Sequence, residues 1–140
     1  MNWLAWSLLS ALFAGLTAVL AKVGVAGVDS NLATAIRTTV ILAFAWTIAL
    51  VTVGPAELAR LSGRTWLFLT LSGIATGLSW LCYFRALQLG QASQVAPIDK
   101  LSVVFVLLFA ALFLREPLTL RSGVGCLLIV AGAILLAWKR

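Results

Sequence analysis

The sequence predicts an all-α transmembrane protein built as a five-helix bundle. Three observations carry that prediction. Hydrophobic residues make up 63% of the 140-residue chain and mean hydropathy is +1.13, against an apolar share of about 45–50% in soluble domains. The apolar residues fall into five continuous runs, each able to supply the roughly 20 residues that cross a hydrocarbon core. The runs do not alternate in polarity, as the short segments of a transmembrane β-barrel would. That leaves helices, which satisfy their own backbone hydrogen bonds in lipid.

In chain order the spans are predicted over Trp3–Val25, Leu32–Val53, Thr65–Leu89, Val95–Arg115 and Leu118–Trp138. They use most of the length, so the 14.9 kDa chain reads as one domain over 1–140 with no room for a soluble module. No basic n-region precedes the first run, and Trp3–Ala21 is longer than a usual signal-peptide h-region, so it is expected to stay as a span. Its residues Trp6, Ser10, Ala14, Thr17 and Ala21 follow at steps of 4, 4, 3 and 4, which places them on one small, mildly polar helix face. The second span carries Arg37 about two turns in. The third repeats the polar face more sharply, with Ser72, Thr76, Ser79 and Tyr83 at steps of 4, 3 and 4. Beside it run Gly73 and Gly77, a GxxxG pair that allows close helix approach, and Trp80. The fourth span opens around Pro97, Asp99 and Lys100. The break Arg115-Glu116-Pro117-Leu118-Thr119 is short, so spans four and five should form an antiparallel hairpin. Pro117 is expected to open the fifth helix, with Glu116 at its positive end. Gly125, Gly132 and several alanines make the fifth span a packing or dimerisation helix.

The residue inventory excludes several function classes. There is no His, and two Cys with four acids offer no metal-ligand cluster and no nucleophile–base triad. Cys82 and Cys126 fall within spans, as small apolar packing residues. Nothing resembles an ATP-binding loop. The chain is therefore expected to be no enzyme and to use no cofactor or metal. A net charge of +6 and a pI near 10.4 would suggest nucleic acid for a soluble protein. Here the bases sit mainly at span ends, where they act as topology signals, and no nucleic-acid partner is expected.

Five crossings put the termini on opposite faces and sort the loops into two sides. One side holds Arg60, Arg64, Arg115 and Arg121; the other holds Lys22, Lys139 and Arg140, with Arg37, Arg85 and Lys100 deeper. The tally is 4 against 3, or 4 against 6 with the deep residues, too even to fix orientation by the positive-inside rule. Two copies inserted in opposite orientation would form a ten-helix inverted-repeat body, the arrangement by which secondary transporters alternate access. A parallel dimer, a heteromer and a monomer remain as alternatives.

Two readings stand for each candidate site. Trp6, Ser10, Ser79, Trp80 and Tyr83 could line a cavity that hydrogen-bonds and stacks a solute, or the hydroxyl and small residues could be interhelical packing. Arg37, Arg85, Asp99 and Lys100 lie toward one side and could meet as a charge network. Adjacent residues on a helix point in different directions, so Asp99 is expected to pair with Arg37 or Arg85 rather than Lys100. The network could be structural. It could instead place Asp99 as a proton-titrating switch, or Arg37 and Lys100 as counter-charges for a carboxylate or phosphate.

The segments Tyr83-Phe84-Arg85-Ala86-Leu87, Ala96-Pro97-Ile98, Leu112-Phe113-Leu114-Arg115-Glu116-Pro117-Leu118-Thr119 and Gly125 to Gly132, in that order, resemble the EamA-like repeat of the drug/metabolite transporter superfamily. So do Lys22-Val23-Gly24 and Ala35-Ile36-Arg37. The resemblance covers nearly the whole chain and implies a half-size, single-repeat transporter, where most relatives carry two inverted repeats around a central cavity. It further implies export of small metabolites or drug-like solutes across a bacterial cytoplasmic membrane, by a dimer. Glu116 and Arg37 match recurring positions of the repeat. The chain departs from the related small multidrug resistance proteins, which carry an acid in the first of four spans; no acid lies in this first span. A lipid flippase or flippase subunit, and a non-transporting membrane assembly subunit, are the alternative functions.

Overall fold

Each long helix starts where a side-chain oxygen can take over a backbone N–H that the first turn leaves without a partner. The computed structural model describes residues 2–138. Helix α1 (Trp3–Gly24) begins after Asn2, whose Oδ1 accepts from the Ala5 N–H at 3.0 Å. Helix α2 (Ser30–Thr52) is capped by Asp29, whose carboxylate accepts from Asn31 N and Leu32 N at 2.9 and 3.1 Å. Helix α3 (Gly63–Leu89) follows Ser62, whose Oγ accepts from Thr65 N at 3.1 Å. Between α2 and α3 the chain reverses at Gly54, with φ at +82°, and makes a 3₁₀ turn over Pro55–Arg60. Between α1 and α2 it turns at Gly27, with φ at +75°. Both angles favour glycine because they cost it no Cβ clash.

The fourth span is not one α-helix. Helix α4 (Ala92–Asp99) contains Pro97, which has no N–H to give the carbonyl one turn back. The chain then tightens, with Lys100 N, Leu101 N, Val103 N and Val104 N each bonding the carbonyl three residues earlier at 2.9–3.1 Å. Helix α5 (Ser102–Phe109) resumes and widens into a π-helical turn over Ala110–Leu114. That turn closes on Arg115, in the left-handed region at φ 57°, with the N–H groups of Arg115 and Glu116 both on the Ala110 carbonyl. Helix α6 (Leu120–Ala137) begins at Thr119, which shares a reciprocal capping box with Ser122. The expectation that Pro117 and Glu116 open this helix is corrected. Both lie in the connector, and Pro117, two residues past the left-handed Arg115, marks the end of the preceding helix.

Five segments are long and apolar enough to cross a membrane: Trp3–Gly24, Ser30–Thr52, Gly63–Leu89, Ala92–Leu114 and Leu120–Ala137. Among the described residues there is no strand, and the protein is all-α and five-spanning. Lys139 and Arg140, assigned above to one side's charge, lie outside the described residues.

The chain divides into two compact units. One takes α1 together with the chain from Leu89 onward; the other is Gly24–Gln88. In the first, α4 packs against α6, and Gln94 Nε2 reaches the Ala137 carbonyl at 3.5 Å. The start of span four thus meets the end of span five, which makes them the antiparallel hairpin the short break predicts. Lys22 Nζ donates to the Gly90 carbonyl at 2.7 Å in the same unit. Ala18, Ala21 and Ala133 are the buried apolar side chains of α1 and α6. Cys82 and Cys126 are free thiols, Cys82 facing outward from α3.

Candidate functional site

In the Gly24–Gln88 unit, α2 and α3 bring one cation against aromatic rings. Arg37 follows the buried Ser30 and Thr34 at steps of 4 and 3 along α2, so the three share a face. The hydroxyls on this face are answered inside the helix: Thr34 Oγ1 donates to the Ser30 carbonyl and Thr38 Oγ1 to the Thr34 carbonyl, both at 2.8 Å. The guanidinium carbon of Arg37 stands 4.0 Å from the centroid of the Trp80 ring and 5.5 Å from that of Phe84. Trp80 and Phe84 lie one turn apart on α3, and Tyr83 comes close enough to interact with the charge. Trp80, Tyr83 and Arg37 are half-buried and Phe84 is buried.

The energetics of this contact are close to balance. Arg37 lies about 10 Å along α2 from its start, at 1.5 Å rise per residue. An arginine at the centre of a span costs about 2.5–3.5 kcal/mol on insertion scales, and a desolvated cation–π contact returns about 2 kcal/mol. Stacking also covers a face of the guanidinium rather than its edge, and the five N–H donors lie in the plane of that edge. The two ion pairs among the described residues are Arg60–Glu57 at 2.7 Å and Lys100–Asp99 at 3.3 Å. Arg37 is in neither.

The other charges anticipated from the sequence have local partners. Asp99 accepts from Lys100 Nζ at 3.3 Å, so the expectation that it would not pair with Lys100 is corrected. Adjacent side chains diverge in the expected way only along a continuous α-helix. The chain instead leaves α geometry after Asp99, and a long, exposed lysine side chain reaches back. Such an exposed pair contributes little to stability. Arg85 Nη1 donates to Gln88 Oε1 at 2.9 Å, and Gln88 Nε2 donates to the Val28 carbonyl at 2.5 Å. Arg85 thus helps fasten the end of α3 to the turn before α2.

Of the expected cavity residues, Trp80 and Tyr83 gather at Arg37, while Ser79 points outward on α3. Trp6 and Ser10 sit on exposed positions of α1, in the other unit. In the expected stripe, Thr76 Oγ1 donates to the Ser72 carbonyl at 2.9 Å, so that hydroxyl is already occupied. Phe84 and Gln88 were missed. Phe84 was legible as the residue one turn beyond Trp80, and Gln88 as the polar residue three after Arg85. Among the described residues no group of three or more His, Cys, Asp or Glu could hold a metal.

Five apolar helices, with a guanidinium set on aromatic rings inside one span, define a multi-pass membrane protein in contact with the lipid bilayer. The family model of the EamA-like transporter family matches residues 1–138, and the chain belongs to that family of transporters. It is 57% identical over 136 residues to a Sinorhizobium protein named "Uncharacterized transporter in cobO 3'region", covering 97% of this chain and 96% of that one. It is 39% identical over 77 residues to the "Probable 4-amino-4-deoxy-L-arabinose-phosphoundecaprenol flippase subunit ArnE" of Enterobacter sp. (strain 638), covering 55% of this chain and 72% of that protein. A 38% identity over 73 residues to the transporter YvbV of Bacillus subtilis spans 52% of this chain and 23% of that longer one. No solved structure matches the chain.

Proposed function

We propose that the chain is one half of a secondary transporter in a bacterial cytoplasmic membrane, completed by a second copy in antiparallel orientation. The dimer moves small metabolites or drug-like solutes, chiefly outward, by alternating access between the two repeats. Near the midplane the solute is contacted by Trp80 and Tyr83. The observation that carries this reading is that a chain with five spans matches a transporter family from residue 1 to 138. Two features support pairing. Gly73 and Gly77 form a GxxxG pair of the kind that lets helices approach closely, and a Cβ there, as at other glycines of the chain, would meet no heavy atom of the described chain within 4 Å. The even spread of Lys and Arg also sets no strong orientation.

The test is labelling of a cysteine placed at either terminus, in a background with Cys82 and Cys126 replaced, in intact cells, together with cross-linking of Gly73→Leu and Gly77→Leu. Antiparallel pairing predicts each terminus labelled from both faces and a dimer band that the leucines weaken severalfold. Labelling of each terminus from one face alone rejects the antiparallel arrangement.

A second reading makes the chain a subunit of a lipid flippase. Its support is the similarity to ArnE, named as a flippase subunit. Proteoliposomes separate the two: uptake of a soluble solute favours the first, and movement of a headgroup-labelled lipid without such uptake favours the second.

A further inference from the structure

We infer that the edge of the Arg37 guanidinium, presented by its stack on Trp80, binds the oxyanion of the transported molecule, so that the substrate class is anionic, carrying a phosphate or a carboxylate. This rests on the transport reading above and narrows it.

Three observations converge on the same group. Arg37 lies within a membrane span, where a charge without function is disfavoured. Its guanidinium carbon is 4.0 Å from the Trp80 centroid and 5.5 Å from that of Phe84, so one face is held and the side chain is oriented before any ligand arrives. Among the described residues it belongs to neither ion pair. The carboxylate of Asp29 accepts the first N–H groups of α2, Glu57 is paired with Arg60, and Asp99 with Lys100.

What this geometry offers is specific. A stacked guanidinium presents parallel N–H groups along its free edge, and these match two oxygens of a carboxylate or phosphate. A lysine at the same place would give a point charge and no flat face for the indole. The depth suits the chemistry too. At about 10 Å from the start of α2, the group lies within the span, where an anion can meet it along a solute pathway or as a lipid headgroup. The shared chemistry is the oxyanion; its carrier is what the experiment separates.

The full chain, purified in a neutral detergent, is titrated with dioctanoylphosphatidylglycerol, glycerol 3-phosphate and succinate, with dioctanoylphosphatidylcholine as the neutral-headgroup control. The readout is the tryptophan fluorescence change that is absent in Trp80→Phe. At least one anion is expected to give a saturable change, weakened tenfold or more in Arg37→Gln and at least threefold in Arg37→Lys. A response to the anionic lipid alone assigns a headgroup; a response to either soluble anion assigns a free metabolite. Should Arg37→Gln fail to fold, Arg37→Lys keeps the charge and decides by itself. No saturable response to any of the three, wild-type affinity in Arg37→Lys, or an equal response to phosphatidylcholine overturns the inference. Loss of anion binding with cross-linked pairing and transport intact removes this inference alone. Anion binding by a chain that neither pairs nor transports removes the reading beneath it instead.

Discussion

If the Arg37–Trp80 stack is a built contact, the two residues must be energetically coupled, and a double-mutant cycle measures that coupling directly. Replacing Arg by Leu at the centre of a span is worth about 3 kcal/mol in favour of Leu on insertion scales. Arg37 sits about a third of the way along α2, where a side chain reaches toward the interface, and about half of that figure is a fair allowance. Against it stands the loss of stacking on rings at 4.0 and 5.5 Å, about 1–2 kcal/mol for a partly desolvated pair. Arg37→Leu should therefore leave stability within about 1 kcal/mol of wild type. Trp80→Leu should cost more, because it removes ring packing and also strips the cover from a cation that stays in the span. The double variant should recover about 1–2 kcal/mol relative to the sum of the singles. Reversible unfolding in mixed micelles, followed by far-UV circular dichroism, gives all four corners. Additivity within about 0.3 kcal/mol would show that the rings and the guanidinium are neighbours by accident, and the site argument would go with it.

Two further predictions concern the ends of helices. Thr119→Ala removes the hydroxyl that accepts from Ser122 N at 3.1 Å. It should cost about 1 kcal/mol and speed hydrogen exchange in the first turn of α6, while Thr119→Ser should keep most of the capping. Arg115 holds a left-handed φ of 57° that costs a non-glycine residue about 1 kcal/mol. Arg115→Gly should therefore raise the thermal midpoint modestly, after allowance for the greater freedom of glycine in the unfolded chain, and Arg115→Val should lower it.

The spans were legible in the sequence because the hydrocarbon core sets both their length and their composition, and both can be counted along the chain. Their ends were less so. Asp29, Ser62 and Thr119 each cap a helix, yet a polar residue beside an apolar run looks the same whether or not its oxygen finds an N–H. Pro97 was visible, but the stretch of i to i+3 bonds behind it was not. The π turn at Ala110–Leu114 lies in a run of Ala, Leu and Phe that any hydropathy reading continues as plain helix. The site shows the same division. Arg37 stood out as a charge in a span and Trp80 as an aromatic beside a polar stripe, each from its own helix. Their meeting depends on how α2 and α3 are rotated against each other, which the period of a single helix does not encode. Opposite charge is not the sole answer to a cation in a span, and Arg37 meets an aromatic face instead.

That answer separates Arg37 from Lys22, Arg85 and Lys100, although Arg64 in the first turn of α3 also lies over a ring, 5.8 Å from the centroid of Phe68. Lys22 is tied to the carbonyl of Gly90, Arg85 to Gln88, and Lys100 to Asp99. Each of these bonds consumes N–H donors of its cation on an oxygen of the chain itself. A ring consumes none, because the indole face attracts the charge without accepting along the N–H edge. Replacing Trp80 by a carboxylate would hold Arg37 at least as firmly and would fill the donors that the ring leaves open. The choice of ring over acid therefore fits a cation that must be kept in place and yet remain available to an anion, which stability alone does not require.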